Sequence, residues 1–182
     1  MQAPYFFISP MLAQNQAWAA FRLDSTAAGR DDVNVYRDTL PRFEALARLF
    51  PPVIGCAPEW LADSEFIKKL GRNQAILVVP ESVASRAEDQ ELCKRAQQAG
   101  LQVGLRVADA ATLKKISTAA FSHLLMDARV ARSDIPLIDL INAHQLGFHL
   151  VADGVANYEL FDWAAAKRFS ALRRLTTVKR DD

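Results

Sequence analysis

Four charged residues stand at or near the ends of apolar runs, and they set the chemistry open to this 182-residue chain. Arg22 lies within Ala17 to Leu23 and Arg106 within Val103 to Val107. Asp127 directly follows His123 to Met126, and Asp153 directly follows Phe148 to Ala152. If these runs are strands gathered side by side, the two arginines meet at one mouth. There they can hold an anion: a phosphate, a nucleotide or an acidic side chain of a partner. In the competing arrangement each arginine pairs with a nearby acid such as Asp127 or Asp153. We expect this second arrangement, because a carboxylate stranded in a half-buried mouth needs a counter-charge.

Other chemistries lack a pattern. His123, His144 and His149 do not follow a metal-ligand spacing. Cys56 and Cys93 are far apart and spell no CxxC motif, which fits two reduced thiols in a cytoplasmic protein. No G-x-S-x-G elbow, P-loop or G-x-G-x-x-G fingerprint occurs, so serine-hydrolase, NTPase and dinucleotide readings have no support. Trp18, Trp60 and Trp163 read as packing residues rather than a stacking platform.

The elements that must position these residues follow from composition and period. Hydrophobic residues make up 51% of the chain and charged residues 24%, with a formal net charge of +1, as expected for one globular domain over residues 1–182. Lys and Arg total 22 against 21 Asp and Glu, so the overall field attracts neither nucleic acid nor a membrane surface. The basic pairs Lys167-Arg168, Arg173-Arg174 and Lys179-Arg180 read as a solvated face. Tyr5 to Ile8 is too short to span a bilayer and has no basic flank, so it reads as a buried strand. The closing residues form no linker rich in Gly, Ser or Pro, and no neighbouring domain is expected from them.

Eight short apolar runs recur: Tyr5 to Ile8, Ala17 to Leu23, Pro52 to Cys56, Ile76 to Val79, Val103 to Val107, His123 to Met126, Phe148 to Ala152 and Ala171 to Leu175. Most have the pattern of strands buried on both faces. Helical periodicity lies between most of them. One helix is expected from a cap at Asp31-Asp32 to Phe50, kinked at Pro41. Others are expected over Glu59 to Leu70, Ala87 to Ala99, Asp109 to Ala119, Asp134 to Leu146 and Asn157 to Phe169, with Gly71, Gly100 and Gly147 at C-caps. The first two strands are joined without a helix and should form a hairpin. This order suggests a compact (β/α)8 barrel with its first strand antiparallel, while a doubly wound open sheet remains the alternative.

The stretch Leu150-Val151-Ala152-Asp153-Gly154-Val155 resembles the "A-E-G-V-E" strand of EAL domains, the bacterial cyclic-di-GMP phosphodiesterases. Further segments match in order across nearly the whole chain. Ser9-Pro10-Met11-Leu12 and Ala20-Phe21-Arg22-Leu23 resemble the opening segments of the EAL halves of EAL/HDOD signalling proteins. Val78-Val79-Pro80-Glu81 resembles "E-L-P-E", Arg106-Val107-Ala108-Asp109 the strand with paired aspartates, and Leu125-Met126-Asp127 the "K-I-D" strand.

The resemblance implies a modified barrel with one antiparallel strand, which favours the barrel over the open sheet. It also implies a degenerate site. The family's metal-binding and catalytic positions would fall on Phe21, Gly55, Val78, Arg106, Val107 and Leu125, leaving Asp127 and Asp153 as surviving acids and no "Q-G-Y" near the C-terminus. No metal, cofactor or catalytic residue is therefore expected, and cyclic-di-GMP phosphodiesterase activity should be absent. What the resemblance then implies is a cytoplasmic regulatory domain that binds another protein and can form a homodimer. The alternative is a non-hydrolysing receptor for cyclic di-GMP or another nucleotide. Asp24-Ser25-Thr26, where the family has an arginine, counts against the latter.

Overall fold

The computed structural model describes residues 5–25, 33–71, 75–116 and 118–174. The expected cap at Asp31-Asp32, Thr26 and the pair Lys179-Arg180 lie outside the described residues.

Alternation of side chains begins at the hairpin. β1 (Phe6–Leu12) pairs antiparallel with β2 (Trp18–Ser25), from Phe6 against Ser25 to Leu12 against Trp18. Its turn is closed by Ala13 N–H donating to Ala17 at 2.8 Å. From β2 onward every pairing is parallel: β3 (Pro52–Gly55), β4 (Ile76–Val79), β5 (Gln102–Val107), β6 (His123–Asp127), β7 (His149–Val155) and β8 (Ala171–Arg174). Leu12 pairs with Leu172, and this antiparallel contact closes the sheet into a barrel. The open-sheet alternative is thereby excluded.

Two packed layers hold the barrel. Inside it lie Met11, Ala20, Val53, Ile76, Val78, Leu125, Val151 and Ala171. The alternate residues of the same strands, such as Phe21, Leu23, Ile54, Leu77, Leu105 and Leu124, join the layer beneath the helices with Trp60, Phe66 and Leu140. This two-residue period fixes which side chains reach the barrel axis and which cannot.

The helices are shorter than the periodicity suggested. α1 (Val33–Thr39) passes through a 3₁₀ turn at Leu40–Phe43 into α2 (Glu44–Ala47), and the break falls at the expected Pro41, which has no N–H for an α-helical bond. The helix expected from Glu59 is instead a 3₁₀ turn, Pro58–Ala62, followed by α3 (Ser64–Gly71). Asp63 separates them, its Oδ1 accepting from the N–H groups of Glu65 at 2.9 Å and Phe66 at 3.1 Å.

α4 (Ala87–Gln98) is as expected, and α5 (Ala110–Leu113) is one turn capped by Asp109. The span expected from Asp134 begins later, at α7 (Leu137–Gln145), after Pro136; the short α6 (Ala128–Ser133) precedes it. α8 (Tyr158–Ala166) starts at its Asn157 cap. Gly100 and Gly147 follow α4 and α7 with φ of +88° and +89°. Among the described residues no helix is long and apolar enough to cross a membrane.

Candidate functional site

The strands deliver their C-terminal ends to one mouth, where barrels of this architecture present their loops. β2 turns Arg22 and Asp24 inward, two residues apart on the same face. β3 contributes Gly55, β4 Val78, β5 Arg106 and β8 Arg173, and these residues line one cleft of about 750 Å³. Arg86 and Glu59 line it as well.

Asp24 lies between two guanidinium groups. Arg22 Nε donates to Asp24 Oδ1 at 3.0 Å, and Arg173 Nη1 donates to Asp24 Oδ2 at 3.4 Å. Arg173 Nε in turn donates to Asp153 Oδ1 at 2.5 Å, an oxygen that also accepts the Gly154 N–H at 2.7 Å. The ion pairs therefore differ from those expected. Asp153 is neutralised by Arg173, a residue that had read as part of a solvated basic run, and Arg22 pairs with its own strand neighbour.

Asp127 pairs with no arginine among the described residues. Its Oδ1 accepts the N–H groups of Arg129 at 2.8 Å and Val130 at 3.3 Å, capping α6. Arg106 makes no hydrogen bond or ion pair with the described residues and is exposed in the cleft. Arg22 is 7% exposed, and its Nη1 is buried with no acceptor among the described residues.

Of the four sequence-derived candidates, Arg22 and Arg106 line the cleft, and Asp153 reaches it through Arg173. Asp127 ends the neighbouring strand but serves its helix. Two further positions need correction: Phe21 and Val107 belong to the outer layer under the helices, so neither can present a group at the mouth. Gly55 lines the cleft, Val78 both lines it and belongs to the inner core, and Leu125 is buried in that core. Glu81 follows β4 and accepts a hydrogen bond from the Thr112 hydroxyl. Neither Asp24 nor Arg173 was expected from the sequence to take part in the site. For Asp24 the period-two spacing from Arg22 was the available signal; for Arg173 none existed without the barrel's closure.

Burial pushes the Cys56 and Cys93 thiols up, so both stay protonated and neither offers a thiolate. At the opposite end of the barrel, His123 and His149 face each other on adjacent strands with ring centroids 4.9 Å apart. The spacing of the histidines along the chain gave no sign of this pairing. Burial, and secondarily the neighbouring His149, lower the His123 pKa to about 4. Among the described residues no three His, Cys, Asp or Glu side chains are grouped so as to hold a metal ion. A second cleft, of about 510 Å³, runs beside α7 and the end of α8, with Leu137, Ile141, Lys167 and Arg168 on its walls.

Comparison with solved structures places this barrel. The Klebsiella pneumoniae protein BlrP1, in a complex with calcium and cyclic di-GMP, superposes with a TM-score of 0.69 at 14% identity, covering 96% of this chain and 55% of that one. An EAL domain protein from Listeria monocytogenes gives 0.67 at 12% identity, covering 94% of this chain and 86% of that one. The fold is EAL-like. Vibrio cholerae LapD, with GGDEF and EAL parts, gives 0.67 at 12% identity, covering 94% of this chain and 52% of its own. The EAL-like chain thus spans little more than half the length of BlrP1 and LapD. No protein-family model matches it, and neither does any curated protein.

Proposed function

We propose that this chain is a non-hydrolysing EAL-like regulatory domain of bacterial signalling that acts by contact with another protein. The carrying observation is the engagement of the mouth carboxylates. Hydrolysing a phosphodiester with divalent metals requires several free oxygens converging on one point. BlrP1 is described with calcium or manganese and cyclic di-GMP. Here Asp24 and Asp153 are bound by Arg22 and Arg173, while Asp127 caps α6. Gly55 and Val78 carry no side-chain oxygen, and Arg106 adds a charge that repels a cation. The donor set does not fit a two-metal centre.

For the output, Leu137, Ile138, Ile141 and Leu146 leave apolar side chains exposed on and just after α7. Such a strip favours a protein partner. Cytoplasmic residence and a homodimer belong to the same proposal, and the reduced, buried Cys56 and Cys93 accord with a reducing compartment. A second reading, a receptor that holds cyclic di-GMP or another nucleotide uncleaved, is favoured by the arginine-lined cleft, with Arg22, Arg106 and Asp153 in the site.

The test is calorimetric titration with cyclic di-GMP in Mg²⁺ or Mn²⁺, followed by chromatography for product. No product is expected. Cleavage would overturn the non-hydrolysing assignment, and heat without cleavage would favour the receptor reading over the protein-contact one. Partner capture that persists in an Ile138→Asp variant would overturn the role given to α7.

A further inference from the structure

We propose that the barrel mouth binds a phosphoryl group with three free oxygens, inorganic phosphate or a phosphomonoester, between Arg22, Arg106 and Arg173. This inference rests on the non-hydrolysing reading, since it fills with an oxyanion the space that a metal centre would need.

Three strands from different parts of the barrel each send one guanidinium into the same cleft. Arg22 is held before any ligand arrives. Asp24 fixes its Nε edge at 3.0 Å, and a β-carbon built on Gly55 would stand 3.6 Å from its Nη2, so the guanidinium lies close over the bare backbone of β3. Its Nη1 remains buried without an acceptor among the described residues. A buried guanidinium N–H without an acceptor is costly, and an oxyanion settling beside Arg22 would relieve that cost.

Arg106 supplies a second donor set with no partner among the described residues. Arg173 supplies a third, anchored through Nε to Asp153 and only loosely tied to Asp24 at 3.4 Å. Arg86, whose side chain is mostly exposed, is turned toward Asp89 at 3.7 Å and is left out of the set.

The number of free oxygens selects the ligand class. Three guanidinium groups approaching from three strands match a tetrahedral phosphoryl group, which has an oxygen for each. A carboxylate has two oxygens, and a phosphodiester has only two that are unesterified. Guanidinium groups stay charged at all working pH values and pair with phosphate in a forked geometry that an ammonium lacks. Asp24 keeps its hold on the Nε edge of Arg22, and the ligand takes the unpartnered Nη1 edge.

Calorimetry on the full chain tests this, with chloride adjusted to hold ionic strength constant. Inorganic phosphate and adenosine 5′-monophosphate should both bind, and each should displace the other. Cyclic adenosine 3′,5′-monophosphate, the diester of the same nucleoside, should bind at least about tenfold more weakly, the loss of one charged contact. Arg106→Gln should weaken phosphate by a similar factor while leaving the unliganded thermal midpoint in place, because Arg106 is exposed and has no partner among the described residues. Arg22→Lys should weaken it despite keeping the charge. No binding of phosphate, equal binding of the two adenosine phosphates, or an unaffected Arg106→Gln variant would each overturn the inference. Cleavage of cyclic di-GMP in a parallel Mn²⁺ assay would instead overturn the reading beneath it, so the two failures are distinguishable.

Discussion

Gly154 holds φ at +70°, and a β-carbon there would stand 2.7 Å from Asp127 Oδ2. Asp127 has little freedom to retreat, because its other oxygen caps α6 through Arg129 and Val130. Gly154→Ala should therefore cost roughly 2 kcal/mol or more in urea denaturation, combining left-handed backbone strain with the clash. Asp127→Ala alone should cost about 1 kcal/mol, the usual value of an N-cap. The double variant should lose less than the sum, since removing the carboxylate relieves the clash; strict additivity would mean the two residues do not touch. At this scale the sequence was only partly legible. Arg22 and Arg106 were visible as charges within apolar runs. Their partners were not, because pairing depends on which strand end lies beside which. Asp127 looked like a counter-ion because α6 is only six residues long and gives no periodic signal.

At the scale of elements, β6 and β7 bring His123 and His149 into register, each as the first residue of its strand. Ser122 Oγ lies 2.9 Å from His123 Nδ1. His123 is 9% exposed, and its pKa falls from 6.5 to about 4, first through burial and then through His149. The folded state therefore binds fewer protons than the unfolded state between these values. Stability should decline as pH drops from about 6.5 toward about 4 and gain no further loss from this group below that, a total on the order of 3 kcal/mol. Denaturation midpoints of the wild type and His123→Leu over pH 4 to 7.5 isolate this contribution from carboxylate titration. Parallel slopes for the two proteins would exclude it. Most strands were legible, since runs such as Ile76 to Val79 are buried on both faces; the run Tyr5 to Ile8, expected to be buried, instead leaves Tyr5, Phe7 and Ile8 exposed, because the outer face of the hairpin is not covered there. Helix limits were less legible. Asp63 and Pro136 cap or start helices inside spans whose apolar spacing looked continuous, and tertiary packing needs only a turn or two over each strand.

Over the whole molecule, the barrel interior divides the protein into a mouth and a base. Between the arginines and the histidine pair lies the inner apolar layer, to which Val53, Val78, Leu125 and Val151 contribute from separate strands. β6 shows the division in three alternate residues: His123 at the base, Leu125 in the layer and Asp127 at the mouth. The layer is built from small and medium side chains because a barrel this tightly closed leaves little width at its axis. The larger side chains, Phe21, Phe66 and Phe121 among them, are in the outer layer. A deletion inside the barrel should therefore be poorly relaxed, with strands on every side fixed by their hydrogen bonds. Leu125 is 2% exposed, and Leu125→Ala should lower the unfolding free energy by about 2–5 kcal/mol while circular dichroism retains the native strand and helix content. The phosphate affinity proposed for the mouth should change little, because Leu125 does not line that cleft. A cost under about 1 kcal/mol would mean that the interior collapses around the deletion. In that case the axis would be adaptable rather than packed, and the arginines above it could not be held in fixed positions.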